Sequence, residues 1–409
     1  MKGLIRNLSY NTVGMIGYNF AIWLLSAIIL RVLGAEMSGY YAIASSVGNV
    51  FYAIALWGLR SYIATDVRHE HPHVAYAGAR CFALICVILA LGAFCLVAGY
   101  NAELTLVVVL YTLFKMNEAI IELMDCFCQQ AREMDINAKG MLIRSAGLMF
   151  GFTAMALITG SLVSSLSFIV VFTLVVAVFY NYPKVKKLIG FEWSKEFFNC
   201  APILKACFPI MVFELLASAV VAIPRLMYGN IGSTQELGIY TSIYSLVIFL
   251  QLVVNILIFT LAPYMGECYE KGDSKGFIRY CLVLIGGAVG LGLAAELCVL
   301  IMGRPVIGLL YGKNVADRYV YLYWGIISGV TLTFTWILSQ IFVIMRRNSE
   351  QMICAFISTG ACFLLSRIML QANDCNSISK VLALANMVYV IVAVILLVIK
   401  PPVFNKTEK

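Results

Sequence analysis

The stretch LFKMNEAIIELMDCFCQQARE, Leu113 to Glu133, decides how this chain folds. It continues an apolar segment that opens at Leu104, yet it carries Lys115, Glu118, Glu122, Asp125 and Gln129. Those positions step by three, four, three and four, the spacing that puts side chains on one face of an α-helix. An apolar helix of this length spans the roughly 30 Å of a bilayer core. A charge on such a helix costs about 2.5 to 3.5 kcal/mol where it faces lipid, even on the milder scales. The stripe is therefore expected to face the interior of a helix bundle or a water-filled cavity.

The rest of the chain agrees with a membrane bundle. Its 409 residues are 62% hydrophobic and 12% charged, with a mean hydropathy of +0.92, against about 25% charged residues in soluble domains. Apolar runs predict twelve helices near 9–32, 39–62, 80–99, 104–128, 139–160, 163–182, 206–229, 239–264, 279–302, 319–343, 351–371 and 378–399. No repeated ten-residue alternation suggests a membrane barrel, and no segment remains for a sizeable soluble domain. The first run exceeds a signal-peptide core and leads straight into further spans, so it is read as retained.

Of the 29 Lys and Arg, twenty fall in segments on the side of the two termini and six on the other. That bias places both termini in the cytoplasm and implies an even number of crossings. It also accounts for the net charge of +8 without nucleic acid, since basic loops face anionic headgroups. The 13 cysteines lie mostly within apolar spans as small hydrophobes, and Cys126 and Cys128 lack the partners of a zinc site. The three histidines share one loop, His69-Glu70-His71-Pro72-His73, and no metal site is expected there. No Walker loop is present, so transport would draw on an ion gradient or on the substrate gradient itself.

The longest loop, Pro183 to Lys205, divides the chain into six helices and six. The expected organisation is an N-terminal lobe at 1–182, a cytoplasmic linker at 183–205, a C-terminal lobe at 206–400 and a cytoplasmic tail at 401–409. Within the linker Phe191, Trp193, Phe197 and Phe198 alternate with charges, as in a segment lying in the membrane interface. After helix one the chain reads LGAEMSGYYAIASSV, and after helix seven IGSTQELGIYTSIYS, which aligns Gly34 with Gly232, Gly39 with Gly238 and Tyr41 with Tyr240. The fold expected is all-α and integral to the membrane, with two pseudo-symmetric six-helix lobes around a central cavity.

Three stretches carry a family likeness: RVLGAEMSGYYAIASSVGNVFYAIALWGLRSYIATDV (Arg31 to Val67), QQAREMDINAKGMLIRSAG (Gln129 to Gly147) and PRLMYGNIGSTQELGIYTSIYSL (Pro224 to Leu246). They resemble the polysaccharide-transporter branch of the multidrug/oligosaccharidyl-lipid/polysaccharide exporter superfamily, and within it the Wzx-type O-antigen flippases. The chain departs from that pattern at Pro224-Arg225, where the family often has an acidic residue before the basic one. The resemblance implies a non-enzyme of the bacterial inner membrane. Its activity would be to move an undecaprenyl-pyrophosphate-linked oligosaccharide from the cytoplasmic to the periplasmic leaflet by alternating access. Partners would be that lipid-linked sugar, membrane lipids and polysaccharide-assembly proteins. The alternatives are a drug/cation antiporter of the same superfamily and a membrane enzyme of surface-polysaccharide assembly.

Such a flippase needs cations for phosphate and a wet wall for sugars. The candidate cations are Arg60, Lys115, Arg31, Arg225 and Arg367, with Lys115 nearest mid-membrane; its bland reading is an ion pair with Glu118, three residues on. Glu122 and Asp125 have no nearby cation in sequence. With Glu118 they are candidates for a hydrated cavity wall or for proton or sodium coupling; no other cofactor is implied. Glu214, between Pro209 and Pro224 of helix seven, joins them. Three acids against one lysine make the stripe net negative, which leaves phosphate to the arginines.

Overall fold

The computed structural model of the chain describes residues 2–65, 71–131 and 133–401. Arg68, His69 and Glu70 of the histidine loop, Arg132, and residues 402–409 of the expected tail lie outside the described residues, as do the side chains of Lys2 and Arg6.

Among the described residues the chain is helical, and the only bridge between extended segments joins Gln371 to Asp374. Twelve helices are long and apolar enough to cross a membrane. The first six are Thr12–Leu33, Ala35–Ile63, His73–Ala98, Ala102–Gln130, Met134–Thr159 and Leu162–Ile189. The second six are Ala201–Ile231, Thr234–Glu270, Ser274–Tyr311, Lys313–Ile344, Asn348–Met369 and Asn376–Ile399. Each expected span is present, and several start earlier than hydropathy alone suggests.

The surface shows the same inversion as the composition. Leu96 is 89% exposed and Ile158 80%, while Arg80, Asp125 and Arg144 are buried. In water, so wide an apolar surface would drive association; in lipid it costs nothing, and the polar groups are the ones that need shelter.

By internal contacts the chain forms two compact units, Met1–Ser218 and Ala219–Lys409. The division falls inside the seventh span rather than in the 183–205 segment, because that segment packs on the first unit. Val185, Ile203 and Cys207 are buried in one core with Ala79, Cys126 and Phe127.

Two local features of the first unit position the charged side chains. The second span breaks at Trp57 and Gly58, both left-handed, with φ of 51° and 65°. The indole Nε1 of Trp57 donates to the Leu204 carbonyl at 3.1 Å, and Gly58 sits so close to Ile210 that a Cβ there would collide. The break interrupts the helical ladder, and Arg60 follows it by less than one turn. The fourth span is then fixed at both depths. Asn101 caps its start, accepting from the Leu104 N–H at 2.7 Å, and Asn117 donates to the Val170 carbonyl at 2.9 Å and to the Thr173 hydroxyl at 3.1 Å. Three π-helical turns, Ile29–Leu33, Gly147–Phe152 and Ala177–Asn181, interrupt the first, fifth and sixth spans.

Candidate functional site

The polar stripe of the fourth span does face inward, and it is met there by arginines from three other spans. Glu118 accepts from Arg144 Nη1 at 2.7 Å. Arg144 Nη2 stands 3.5 Å from Asp125 Oδ2, so one guanidinium serves two carboxylates. The Asn137 side-chain nitrogen, oriented to donate, reaches the two Asp125 oxygens at 2.9 and 3.2 Å. The Arg144 guanidinium lies 5.1 Å from the centroid of the Tyr18 ring.

One turn further along, Glu122 is held from both sides. Arg60 Nε donates to its Oε1 and Arg80 Nη2 to its Oε2, each at 2.7 Å. Arg80 also donates through Nη1 to the Ala55 carbonyl, an acceptor just before the Trp57–Gly58 break. The two arginines differ in exposure: the Arg60 side chain is 50% exposed and that of Arg80 2%. Glu214 of the seventh span, part-buried with its Oε2 unpartnered, is close enough to Arg60, Arg80 and Glu122 to interact with all three electrostatically.

Lys115 is not paired with Glu118, contrary to the bland expectation. Its Nζ lies over the Tyr52 ring at 4.8 Å from the centroid, with Phe114 at 5.7 Å and Tyr111 at 5.9 Å. Glu118 is turned to Arg144 instead: Nη1 of that guanidinium holds Glu118 Oε2 while Nη2 faces Asp125, a division that the planar fork of an arginine allows and a lysine ammonium does not. The expectation that Glu122 and Asp125 lack a cation is likewise corrected. Their partners arrive from other helices, and the stripe is not left net negative. Three arginines oppose its three acids.

The other candidate cations are placed apart from this cluster. Arg225, in the second unit, is buried with its guanidinium 5.0 Å from the centroid of the Tyr244 ring. It makes no ion pair, and its Nε has no hydrogen-bond partner. Arg31 is exposed in the π-turn that ends the first span. Arg367 is exposed and rests over Phe363 at 5.3 Å. No group of three or more metal-ligating side chains occurs among the described residues; His73 instead contacts Gln130 at 3.3 Å.

Sequence reasoning missed Arg80 and Arg144 by counting them with the loop charges. Arg80 lies two turns inside the third span and Arg144 nearly three turns inside the fifth. A signal existed: both stand at helical spacing from no other charge that could shield them.

No protein-family model matches the chain. Among curated proteins, the capsular polysaccharide biosynthesis protein CapF of Staphylococcus aureus is 22% identical over 349 residues, covering 83% of this chain and 84% of that one. Among solved structures, the lipid II flippase MurJ in an inward closed conformation aligns with a TM-score of 0.76 at 9% identity, over 95% of this chain and 87% of MurJ. An inward-facing multidrug resistance MATE family transporter of the MOP superfamily aligns with a TM-score of 0.70 at 15% identity, over 99% of this chain and all of that one. These solved structures are of transporters rather than enzymes, and their likeness to this chain is one of fold: twelve membrane helices in the arrangement of MOP-superfamily transporters.

Proposed function

We propose that the chain is a flippase that carries an undecaprenyl-pyrophosphate-linked oligosaccharide, an O-antigen or similar repeat unit, across the bacterial inner membrane by alternating access. A sugar and a pyrophosphate need a polar passage through hydrocarbon, while the prenyl tail can stay in lipid. The shared fold with a lipid II flippase supports this reading, as does the relative named for capsular polysaccharide biosynthesis. The observation that carries it is the pairing of the buried charges. The three acids of the stripe, Glu118, Glu122 and Asp125, are each paired with arginine. Arg225 is buried and Lys115 part-buried, and each rests against aromatic rings rather than in an ion pair, with Glu118 acting on Lys115 only at longer range. A ring partner leaves the hydrogen-bond donors of a cation unused, so an arriving phosphate can take them without first displacing a carboxylate.

In this reading Arg60, half open to its surroundings, is the member of the cluster that reaches substrate, with Arg31 and Arg367 as exit-side cations. Glu118, Glu122 and Asp125 form the wall that holds the arginines in place. Glu214, with its unpartnered oxygen, is the favoured candidate for proton or sodium coupling. That same oxygen is what favours the second reading, a drug/cation antiporter, whose substrate would need a free buried acid.

Reconstitution separates the two. Vesicles containing the purified chain should expose a prenyl-pyrophosphate oligosaccharide to an external reagent, and Lys115→Gln or Arg225→Gln should slow that exposure at least tenfold, the loss of one charge-assisted contact of about 1.5 to 3 kcal/mol. Exposure no faster than in empty vesicles would sink the flippase reading. Exchange of an organic cation for protons in the same vesicles would establish the antiporter.

A further inference from the structure

A crevice of about 200 Å³ opens between the third and fourth spans, the end of the sixth and the residues just after it. Cys81 and Leu84 line one wall, Ile120 and Met124 the other, and Phe191 and Trp193 the outer edge. Its lining is almost wholly apolar, but Lys186 stands at its rim. Lys186 also lines a second, more open hollow of about 520 Å³, shared with Lys187, Glu192 and Phe191. The two cavities meet along Lys186 and Phe191, one greasy and one cationic.

The chain is built to hold this shape. The helix Tyr182–Ile189 ends at Gly190, which is left-handed with φ of 62°, and the Phe191 N–H bonds back to the Lys186 carbonyl at 3.1 Å. That closure turns Phe191 and Trp193 back along the crevice. Their rings meet edge to face at 5.1 Å, and Trp193 contacts Phe197 at 5.6 Å. The turn Lys195–Phe198 then lies directly on the third span, where only a glycine, Gly78, admits the Phe197 carbonyl. Trp193 and Phe198 remain 63% and 82% exposed, the position of aromatic side chains at a membrane interface.

We propose that this paired cavity is a binding site for an anionic glycerophospholipid, with an acyl chain in the apolar crevice and its phosphate on Lys186 and Lys187. Two lysines against Glu192 leave a single positive charge, which matches a phosphodiester better than a pyrophosphate. Lys184, the third lysine of the helix, is occupied over the Tyr180 ring at 3.8 Å. The floor is Arg80, 2% exposed, whose Nε has no partner. The bound chain would thus pack against the same arginine that holds Glu122.

Native mass spectrometry of the purified full chain tests the site, with phosphatidylglycerol and phosphatidylcholine of identical acyl chains as probes. Wild type should retain phosphatidylglycerol with a preference of roughly fivefold, the effect of one net lysine charge near an anionic headgroup. Lys186→Gln/Lys187→Gln, on exposed side chains, should abolish the preference while leaving the melting temperature unchanged. Cys81→Phe, which fills the crevice, should lower retention of both lipids. Equal retention of the two lipids by wild type, or an intact preference in the double variant, overturns the proposal. So does displacement of phosphatidylglycerol by an equal concentration of a prenyl monophosphate, which would make the site one for substrate. The assay contains no sugar-linked lipid, so its failure and that of the flippase reading are separate results.

Discussion

The fourth span of the first unit sets Glu118, Glu122 and Asp125 against arginines drawn from spans two, three and five. The tenth span of the second unit, at a similarly polar inner face, carries Ser328, Thr331, Thr333 and Thr335, and each donates to a carbonyl three residues back on its own helix. The first arrangement ties helices to one another by buried charge; in the second each hydroxyl bonds within its own helix, and of the four only Ser328 also reaches a neighbouring span, at 3.4 Å from the Tyr244 hydroxyl. Ion pairs do occur in the second unit, and several stand in the open, as between Arg304 and Asp317 or Lys271 and Glu267. There solvent screening makes them worth little. Its one deeply buried cation described, Arg225, rests on a tyrosine ring rather than a carboxylate. The difference suggests a division of labour, with rigidity built into the first unit by charge and adaptability kept in the second.

Arg144→Met is the harshest test of that contrast. It removes the cation shared by Glu118 and Asp125, both almost wholly enclosed, and an uncompensated buried charge costs about 3 to 5 kcal/mol. The thermal midpoint in detergent should fall steeply, with Arg144→Met/Glu118→Gln/Asp125→Asn recovering most of the loss because no bare charge remains. Should Arg144→Met melt like wild type, the first unit is not held by its charges and the comparison fails.

Arg80→Gln and Arg60→Gln divide the next effect between burial and exposure. Both arginines sit 2.7 Å from Glu122. Removing the buried Arg80 strands Glu122 on its enclosed side and frees the Ala55 carbonyl, a loss of about 1 to 3 kcal/mol. Removing the half-exposed Arg60 leaves Glu122 with Arg80 and should cost under about 1 kcal/mol. The order should reverse in transport, where the proposed substrate contact makes Arg60→Gln the worse variant. Equal stability losses for the two would show that exposure does not set the value of these pairs.

What could be read in the sequence follows the same line between local and distant. The spans were legible because an apolar run of about 20 residues is a local property, and the stripe from Lys115 to Gln129 was legible because a helix repeats at three and four. The partners of the stripe were not. Arg80 lies 42 residues from Glu122 and Arg144 26 from Glu118, and nothing local ties them together. Their depth was hidden as well. The third span opens at His73 and the fifth at Met134, several residues before hydropathy begins to rise, since the first turns carry polar side chains. Arginines near the apparent ends were therefore counted as loop charges. Lys115 shows the converse error: Glu118 is its neighbour by spacing, yet the fold offers that acid a better cation.

The smallest effects fall in the second unit, where Tyr240→Phe and Thr333→Val separate two kinds of hydroxyl. Tyr240 and Ser379 share a buried hydrogen bond of 2.6 Å between spans eight and twelve. Losing it should cost about 0.6 kcal/mol, the average for such contacts between membrane helices. Thr333 bonds only to the Val330 carbonyl of its own helix at 2.7 Å, and valine keeps its shape, so Thr333→Val should leave the thermal midpoint unchanged. A loss from Thr333→Val as large as that from Tyr240→Phe would mean that the hydroxyl ladder of the tenth span binds its neighbours after all. The second unit would then be as cross-linked as the first, by weaker bonds spread over more residues.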